Sequence, residues 1–172
     1  MVIPAFQAAG TLPEVLTRLR AAMPGAHPIV VDDGSTDGTG EVAAAHGARV
    51  LRHGANLGKG RALADGVAEA VRGNVEFIVT MDADGQHPPE YAAALLEPLR
   101  QGRADLVVGA RRRDAGTMPW PRRISNWLSS TLVSRALGVR VPDSQSGFRA
   151  FSRRVGASVR PADARYEYET EF

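Results

Sequence analysis

The segment Phe77-Ile78-Val79-Thr80-Met81-Asp82-Ala83-Asp84-Gly85-Gln86-His87-Pro88-Pro89 runs from an apolar stretch into two carboxylates one residue apart. Alternate side chains of an extended chain share a side, which puts Asp82 with Asp84 and lets Gln86 follow if the backbone stays extended. Two carboxylates about 4 Å apart repel by roughly 4 kcal/mol at an effective dielectric of 20, so a pocket that holds both asks for a cation. Hard oxygen ligands favour Mg²⁺ or Mn²⁺, an ion that usually completes its shell with water and substrate phosphates. Asp82, Asp84 and Gln86 are therefore the candidate metal ligands, and a diphosphate is the natural guest. His87 stays outside that set, because imidazole is the softer choice for such an ion and a histidine before two prolines also reads as a helix-entry residue.

A second acidic pair ends the run Ile29-Val30-Val31-Asp32-Asp33-Gly34-Ser35-Thr36-Asp37-Gly38-Thr39, a buried strand leading into a glycine-rich turn. Ligands of open α/β sheets bind at such carboxyl ends, although Asp32 and Asp33 also have a plain use in satisfying backbone donors of the turn. Asn56-Leu57-Gly58-Lys59-Gly60 precedes a helix, where Lys59 is placed to neutralise phosphate at the helix N-terminus. It lacks the full P-loop spacing, which argues against ATP hydrolysis.

The elements that must position these groups follow from periodicity. Short apolar runs alternate with longer helix-period segments, the pattern of an α/β protein with a mostly parallel sheet. Expected strands are Val2-Ile3, Ile29 to Val31, Arg49 to Leu51, Phe77 to Met81 and Asp105 to Gly109. Each is too short to bury itself without helices on both faces. Thr11-Leu12-Pro13-Glu14 has the spacing of a capping box, after which Leu12, Val15, Leu16 and Leu19 share a helical face. Asp37 is expected to cap the helix after the second strand. Leu63, Val67, Ala70 and Val71 repeat the helical spacing before Gly73, and Pro88-Pro89-Glu90 opens a helix whose Leu95, Leu96 and Leu99 face inward.

Composition sets the outer limits. The 172 residues fit one domain, expected to be cut at its C-terminus and slightly at its N-terminus, and 44% hydrophobic with 23% charged residues is a globular balance. A net charge of +2 gives no argument for nucleic acid. With no cysteine there is no disulfide framework, thiolate metal site or cysteine nucleophile. No apolar run reaches the roughly 18 residues of a membrane span.

Together, Ile3-Pro4-Ala5-Phe6, Val30-Val31-Asp32-Asp33-Gly34-Ser35, Asn56-Leu57-Gly58-Lys59-Gly60 and Asp82-Ala83-Asp84-Gly85-Gln86-His87 resemble, in order and spacing, the family 2 glycosyltransferases of the GT-A fold. Val108-Gly109-Ala110-Arg111 and Asp143-Ser144-Gln145-Ser146-Gly147-Phe148-Arg149-Ala150-Phe151 look like the polyprenyl-phosphate, or dolichol-phosphate, branch. The resemblance implies a GT-A sheet flanked by helices and a UDP- or GDP-sugar donor, with Pro4, Phe6 and Asp33 bordering nucleobase and ribose. It also implies Asp82 beside the nucleotide, Asp84 with Gln86 holding the metal on the diphosphate, and inversion at the anomeric carbon. Many relatives have Asn-Glu after the aromatic residue where this chain has Gln7-Ala8, so a carboxylate that commonly helps hold the nucleotide is missing.

On the acceptor side, residues 111 to 123 hold five arginines against one aspartate. Such a run can be a solvated loop, but arginine forks suit phosphate oxygens, and the resemblance favours Arg111 with Arg122 or Arg123 for an anionic acceptor. Ile124, Trp127, Leu128, Leu132 and Val133, with Trp120 just before them, form an apolar stripe that serves either the core or a membrane surface. A polyprenyl phosphate acceptor is already anionic and needs positioning rather than a base. A hydroxyl acceptor needs a base, for which Asp143 leads, with orientation of Arg149 as its other use; Glu169 and Glu171 come after it. The expected setting is the cytoplasm, at the cytoplasmic face of a membrane. The competing readings are transfer to a hydroxyl of a glycan or small molecule, and a fragment that binds nucleotide-sugar but needs a missing C-terminal part to turn over. A sugar-phosphate nucleotidyltransferase is disfavoured, because Ala5-Phe6-Gln7-Ala8-Ala9-Gly10 offers no basic phosphate loop.

Overall fold

A computed structural model of the chain describes residues 1–73, 75–110 and 146–159. In chain order the elements are β1 (Val2–Ala5), α1 (Leu12–Ala22), β2 (Ile29–Asp32), α2 (Thr39–Ala45), β3 (Arg49–Arg52), α3 (Lys59–Arg72), β4 (Phe77–Thr80), a 3₁₀ turn (Pro89–Tyr91) running into α4 (Ala92–Arg100), β5 (Leu106–Val108), β6 (Arg149–Ser152) and α5 (Arg153–Ser158). The strands form one sheet in the order β3-β2-β1-β4-β6-β5. β3, β2, β1 and β4 are mutually parallel, while β6 is antiparallel to both β4 and β5.

The inner strands β1, β2, β4 and β6 are buried on both faces, and their side chains alternate between two cores, whereas the outer strands β3 and β5 are partly exposed. Ile3, Val30, Val79 and Ala150 join one cluster with Leu12, Leu16 and Leu19 of α1 and Leu96 and Leu99 of α4. Val2, Ile29, Ile78 and Phe151 join the other, with Leu63, Val67 and Ala70 of α3. Helices therefore cover both faces of a mixed sheet. Gly66 lets α3 lie close on the sheet, since a Cβ there would collide with Val2. That approach fixes where the N-terminus of α3, and with it Lys59, stands relative to β1.

Three local expectations are corrected. The strand β6 was not anticipated, because four residues that include a buried arginine carry no apolar period; it forms by pairing Arg149 with Thr80 on one side and Val108 on the other. Thr11 does not cap α1 through its side chain. Its hydroxyl donates instead to the carbonyl of Ala83 at 2.7 Å, and Glu14 pairs with Arg18 rather than closing a capping box. Asp37 lies one residue ahead of the N-cap Gly38, but its carboxylate still accepts from the Thr39 N–H at 3.0 Å. Among the described residues no helix is long and apolar enough to cross a membrane.

Candidate active site

The sheet order reverses direction between β1 and β4, and the crevice at such a switch point, beyond the carboxyl ends of the strands, is where open α/β sheets bind ligands. A cavity of about 550 Å³ lies there. Its walls come from the ends of three adjacent strands: Pro4 to Ala8 at and beyond the end of β1, Asp33 after β2, and Asp82 to Asp84 after β4. The start of α3 closes it with Asn56, Gly58, Lys59 and Ala62. Its volume is that of a small-molecule site.

The first acidic pair is held by the chain's own donors. Asp32 is buried, accepts from the Ser35 N–H at 3.0 Å and pairs with the Arg52 Nε at 3.3 Å. Asp33 Oδ1 accepts from Leu57 N–H at 2.9 Å and lies 2.6 Å from His53 Nδ1, while Oδ2 accepts from Gly58 N–H at 2.9 Å. A carboxylate has about four acceptor positions, so Asp33, at the cavity wall, keeps one for a ligand. Asp33 thus fastens the loop that precedes α3 onto the end of β2. The loop after β1 is fastened in the same way: Gln7 donates its backbone N–H to Ser35 Oγ and Nε2 to Thr36 Oγ1, each at 3.0 Å. Ala8 N–H donates to the buried Thr39 hydroxyl and Ala9 N–H to Asp37. The Thr39 hydroxyl, donating in turn, and the Ala9 N–H hold the Asp37 carboxyl below its ordinary range, the hydroxyl contributing most.

The second pair is left open. Asp82 presents Oδ1 to the Lys59 ammonium at 2.7 Å and keeps 23% of its side chain exposed. Behind it, His87 Nε2 is 3.9 Å from Oδ2, and that ring stacks on Phe148 with centroids 5.3 Å apart. Asp84 is exposed, and its Oδ1 accepts from the Gln86 N–H at 2.9 Å. The condition of an extended chain is not met here. Residues 83 to 85 turn, with Gly85 at φ +75°, a left-handed conformation that glycine adopts without strain. Asp82 and Asp84 still share the cavity, whereas Gln86 is exposed and is not part of its wall.

Two hard carboxylates opening on one cavity suit Mg²⁺ or Mn²⁺. Among the described residues no three His, Cys, Asp or Glu side chains gather as a cage, which leaves coordination positions for water and phosphate oxygens. The donor set therefore fits a cation shared with a diphosphate. Lys59 and the first turn of α3 add positive charge at the same end of the cavity.

Of the remaining sequence candidates, Pro4 and Phe6 line the cavity, and the Phe6 ring is half exposed at its edge. Arg149 is buried in β6, its Nε donating to the Ser146 carbonyl at 2.9 Å, and it is not part of the wall. Arg111, Arg122, Arg123, Asp143, Glu169, Glu171 and the apolar stripe from Ile124 to Val133 lie outside the described residues. Sequence reasoning passed over His53, and it gave Asn56 and Gly147 no role of their own although both stand in its motifs. A lone histidine after a strand carries no pattern, and the closeness of Gly147 to Asp82 arises only when β6 pairs with β4. The Thr80 hydroxyl donates to the Gly147 carbonyl at 2.9 Å and locks that approach.

The sequence matches the family model of Glycosyl transferase family 2 over residues 1–158. The chain belongs to glycosyltransferase family 2. Among relatives of this family 2 glycosyltransferase, polyprenol monophosphomannose synthase of Mycolicibacterium smegmatis is 37% identical over 164 residues, covering 90% of this chain and 62% of the relative. Undecaprenyl-phosphate mannosyltransferase of Micrococcus luteus is 38% identical over 158 residues, covering 87% and 64%. Among solved structures, glucosyl-3-phosphoglycerate synthase from Mycobacterium tuberculosis, in complex with Mn²⁺, UDP-glucose and phosphoglyceric acid, superposes with a TM-score of 0.76 at 28% identity, covering 98% of this chain and 60% of that one. The fold of this family 2 glycosyltransferase is accordingly GT-A, as the motifs implied. The chain spans about three fifths of the length of these relatives.

Proposed function

We propose that the chain is the catalytic domain of a metal-dependent glycosyltransferase that moves a sugar from a UDP- or GDP-sugar to a polyprenyl phosphate, with inversion at the anomeric carbon. One observation carries the donor half: Asp82, Asp84 and Lys59 converge on a single cavity at the switch point of the sheet. Similarity to two enzymes named for polyprenyl-phosphate mannosyl transfer carries the acceptor half.

In this reading Pro4 and Phe6 border the nucleobase, and Asp33 offers its remaining acceptor position to a ribose hydroxyl or base N–H. Asp82 and Asp84 hold the Mg²⁺ or Mn²⁺, with Gln86 joining them if the 83–85 turn opens. When bound, that cation neutralises charge on the departing nucleoside diphosphate. Lys59, at the N-terminus of α3, does the same from the protein side and so favours the state in which the leaving group is most charged. Arg111 and Arg123 orient the acceptor phosphate, whose oxygen attacks the anomeric carbon directly as the bond to the diphosphate breaks; no protein nucleophile is required. Arg149, buried in β6 outside the cavity wall, orders the 146–148 loop through the Ser146 carbonyl, and Asp143 orients it or the acceptor. The reaction belongs at the cytoplasmic face of a membrane, where nucleotide-sugars and lipid phosphates meet.

The solved relative bound to phosphoglyceric acid supports a second reading, in which the acceptor is a hydroxyl of a small phosphorylated acid and Asp143 serves as base. The deciding assay offers radiolabelled UDP- and GDP-sugars with a short polyprenyl phosphate or phosphoglyceric acid, in Mn²⁺, Mg²⁺ or EDTA. Metal-dependent lipid-linked product is the expected result. Product on phosphoglyceric acid alone selects the second reading. Nucleotide binding without product on either acceptor marks a donor site that needs the remainder of a longer protein.

A further inference from the structure

His53 follows β3, is almost fully enclosed, and stands between two carboxylates. Its Nδ1 lies 2.6 Å from Asp33 Oδ1 and its Nε2 lies 3.2 Å from Asp65 Oδ2. Asp65, on α3, is itself held by the Arg61 Nε at 2.7 Å, and the backbone N–H of His53 donates to the Asp32 carbonyl at 2.9 Å. The ring is therefore fixed from the β2 end and from α3 together. It does not reach the cavity, but Asp33 does.

We propose that His53 is a positioning residue for the nucleotide: backed by Asp65, it fixes the rotamer of Asp33, and through Asp33 the Leu57–Gly58 turn that delivers Lys59 to the cavity. This rests on the reading of that cavity as the nucleotide site. The chemistry is a chain of contacts. Asp33 Oδ1 serves His53 and the Leu57 N–H together, so loss of the imidazole frees the carboxylate to rotate about its terminal torsion, which has no strong staggered preference. Rotation exchanges the oxygen that holds Gly58 N–H and moves the acceptor position left for a ligand. A charged group that is only nearly in place holds its ligand poorly, which is why supporting contacts behind a site matter to affinity.

The test is calorimetric binding of UDP and GDP in Mn²⁺, together with amide hydrogen exchange at Leu57 and Gly58, on the wild-type protein and on His53→Phe, His53→Gln and Asp65→Asn. His53→Phe should weaken nucleotide binding by about 10-fold and speed exchange at both amides by a similar factor. His53→Gln, which keeps one donor for Asp33, should recover part of the affinity. Asp65→Asn should cost about threefold alone and nothing further in the His53→Phe background, because it acts through the ring. In turnover the loss should raise the donor KM and leave kcat within about twofold, as removal of uniform binding does. If His53→Phe does not fold, His53→Gln and Asp65→Asn carry the same comparison. Unchanged nucleotide affinity in variants of a wild type that binds overturns the inference. If the wild type binds neither nucleotide, the reading of the cavity fails and takes the nucleotide role with it; unchanged exchange at Leu57 and Gly58 would then overturn the loop-holding role as well.

Discussion

The two acidic pairs sit at the ends of parallel strands β2 and β4, on either side of β1, and differ in what satisfies them. Asp32 and Asp33 are buried and meet a serine N–H, two loop N–H groups, a guanidinium and an imidazole. Asp82 and Asp84 face the cavity, where the Lys59 ammonium and one turn N–H meet them and the His87 imidazole stands 3.9 Å from Asp82. The same residue type at the same place in the architecture thus does two jobs: the first pair spends its acceptors mainly on the chain, the exception being the position Asp33 keeps at the cavity wall, and the second leaves most of its acceptors open to a guest. The difference teaches that partner count, rather than charge or strand-end position, separates a structural carboxylate from a ligand-binding one.

The sharpest way to break that comparison is to remove one carboxylate from the open pair. Asp84→Ala should abolish sugar transfer, by about 1000-fold or more, and weaken Mn²⁺ binding. Because Asp84 is exposed and holds only its own turn, the melting transition should shift by no more than about 0.5 kcal/mol in stability. Transfer at the wild-type rate, or a loss of activity that merely follows unfolding, would remove Asp84 from the site.

A glycine beside each pair extends the contrast. Gly34, after the first pair, has φ +77°, and a Cβ there would stand 2.5 Å from the Ala55 carbonyl carbon and 2.7 Å from the Asn56 nitrogen. Both are backbone atoms, so Gly34→Ala should cost about 3 kcal/mol of stability through strain and overpacking, read as a lower urea midpoint. Gly147, beside the second pair, would put its Cβ 2.8 Å from both Asp82 carboxylate oxygens. A side chain can swing away where backbone cannot, so Gly147→Ala should fold normally and lose activity, by about 100-fold, as the carboxylate leaves its position. Equal effects of the two changes on stability would erase the distinction between the pairs.

Sequence reading was most successful where period and chemistry coincide. The alternation along the strands, the faces of α1 and α3, and the two Asp-bearing strand ends were all visible, because burial on both faces writes itself into short apolar runs. Three features were not. The strand β6 owes its existence to pairing with β4 and β5, so nothing local marks it. The hydroxyl of Thr11 follows a capping pattern yet is taken by the Ala83 carbonyl, a tertiary partner that outcompetes the helix end. His53 joins Asp33 to Asp65 across 20 and 12 residues, a distance over which spacing carries no signal. The extended chain on which the Gln86 reading was conditioned is absent, since Gly85 turns the backbone.

The smallest expected effect concerns Asp37, an exposed carboxylate that nonetheless belongs with the chain-serving group. The Thr39 hydroxyl and the Ala9 and Thr39 N–H groups hold its pKa below the ordinary value of 3.8. Between the folded and unfolded values the unfolded chain binds more protons, so stability rises with pH across that window. The contribution is therefore fully present above pH 3.8 and is lost as pH falls through the lower folded value. Asp37→Asn cannot titrate, so its stability should fall less steeply than wild type as the solution is acidified below about pH 4, with only a slight loss near neutrality because the site is exposed to solvent. Glu41 and Glu90, each held low by an arginine, are present in both proteins and cancel in the difference. Urea melts of the two proteins from pH 3 to pH 7 measure that difference directly. Curves that stay parallel throughout would mean that Asp37 is as idle in the fold as an unpartnered surface carboxylate, and that the loop after β1 is held by Ser35, Thr36 and Thr39 alone.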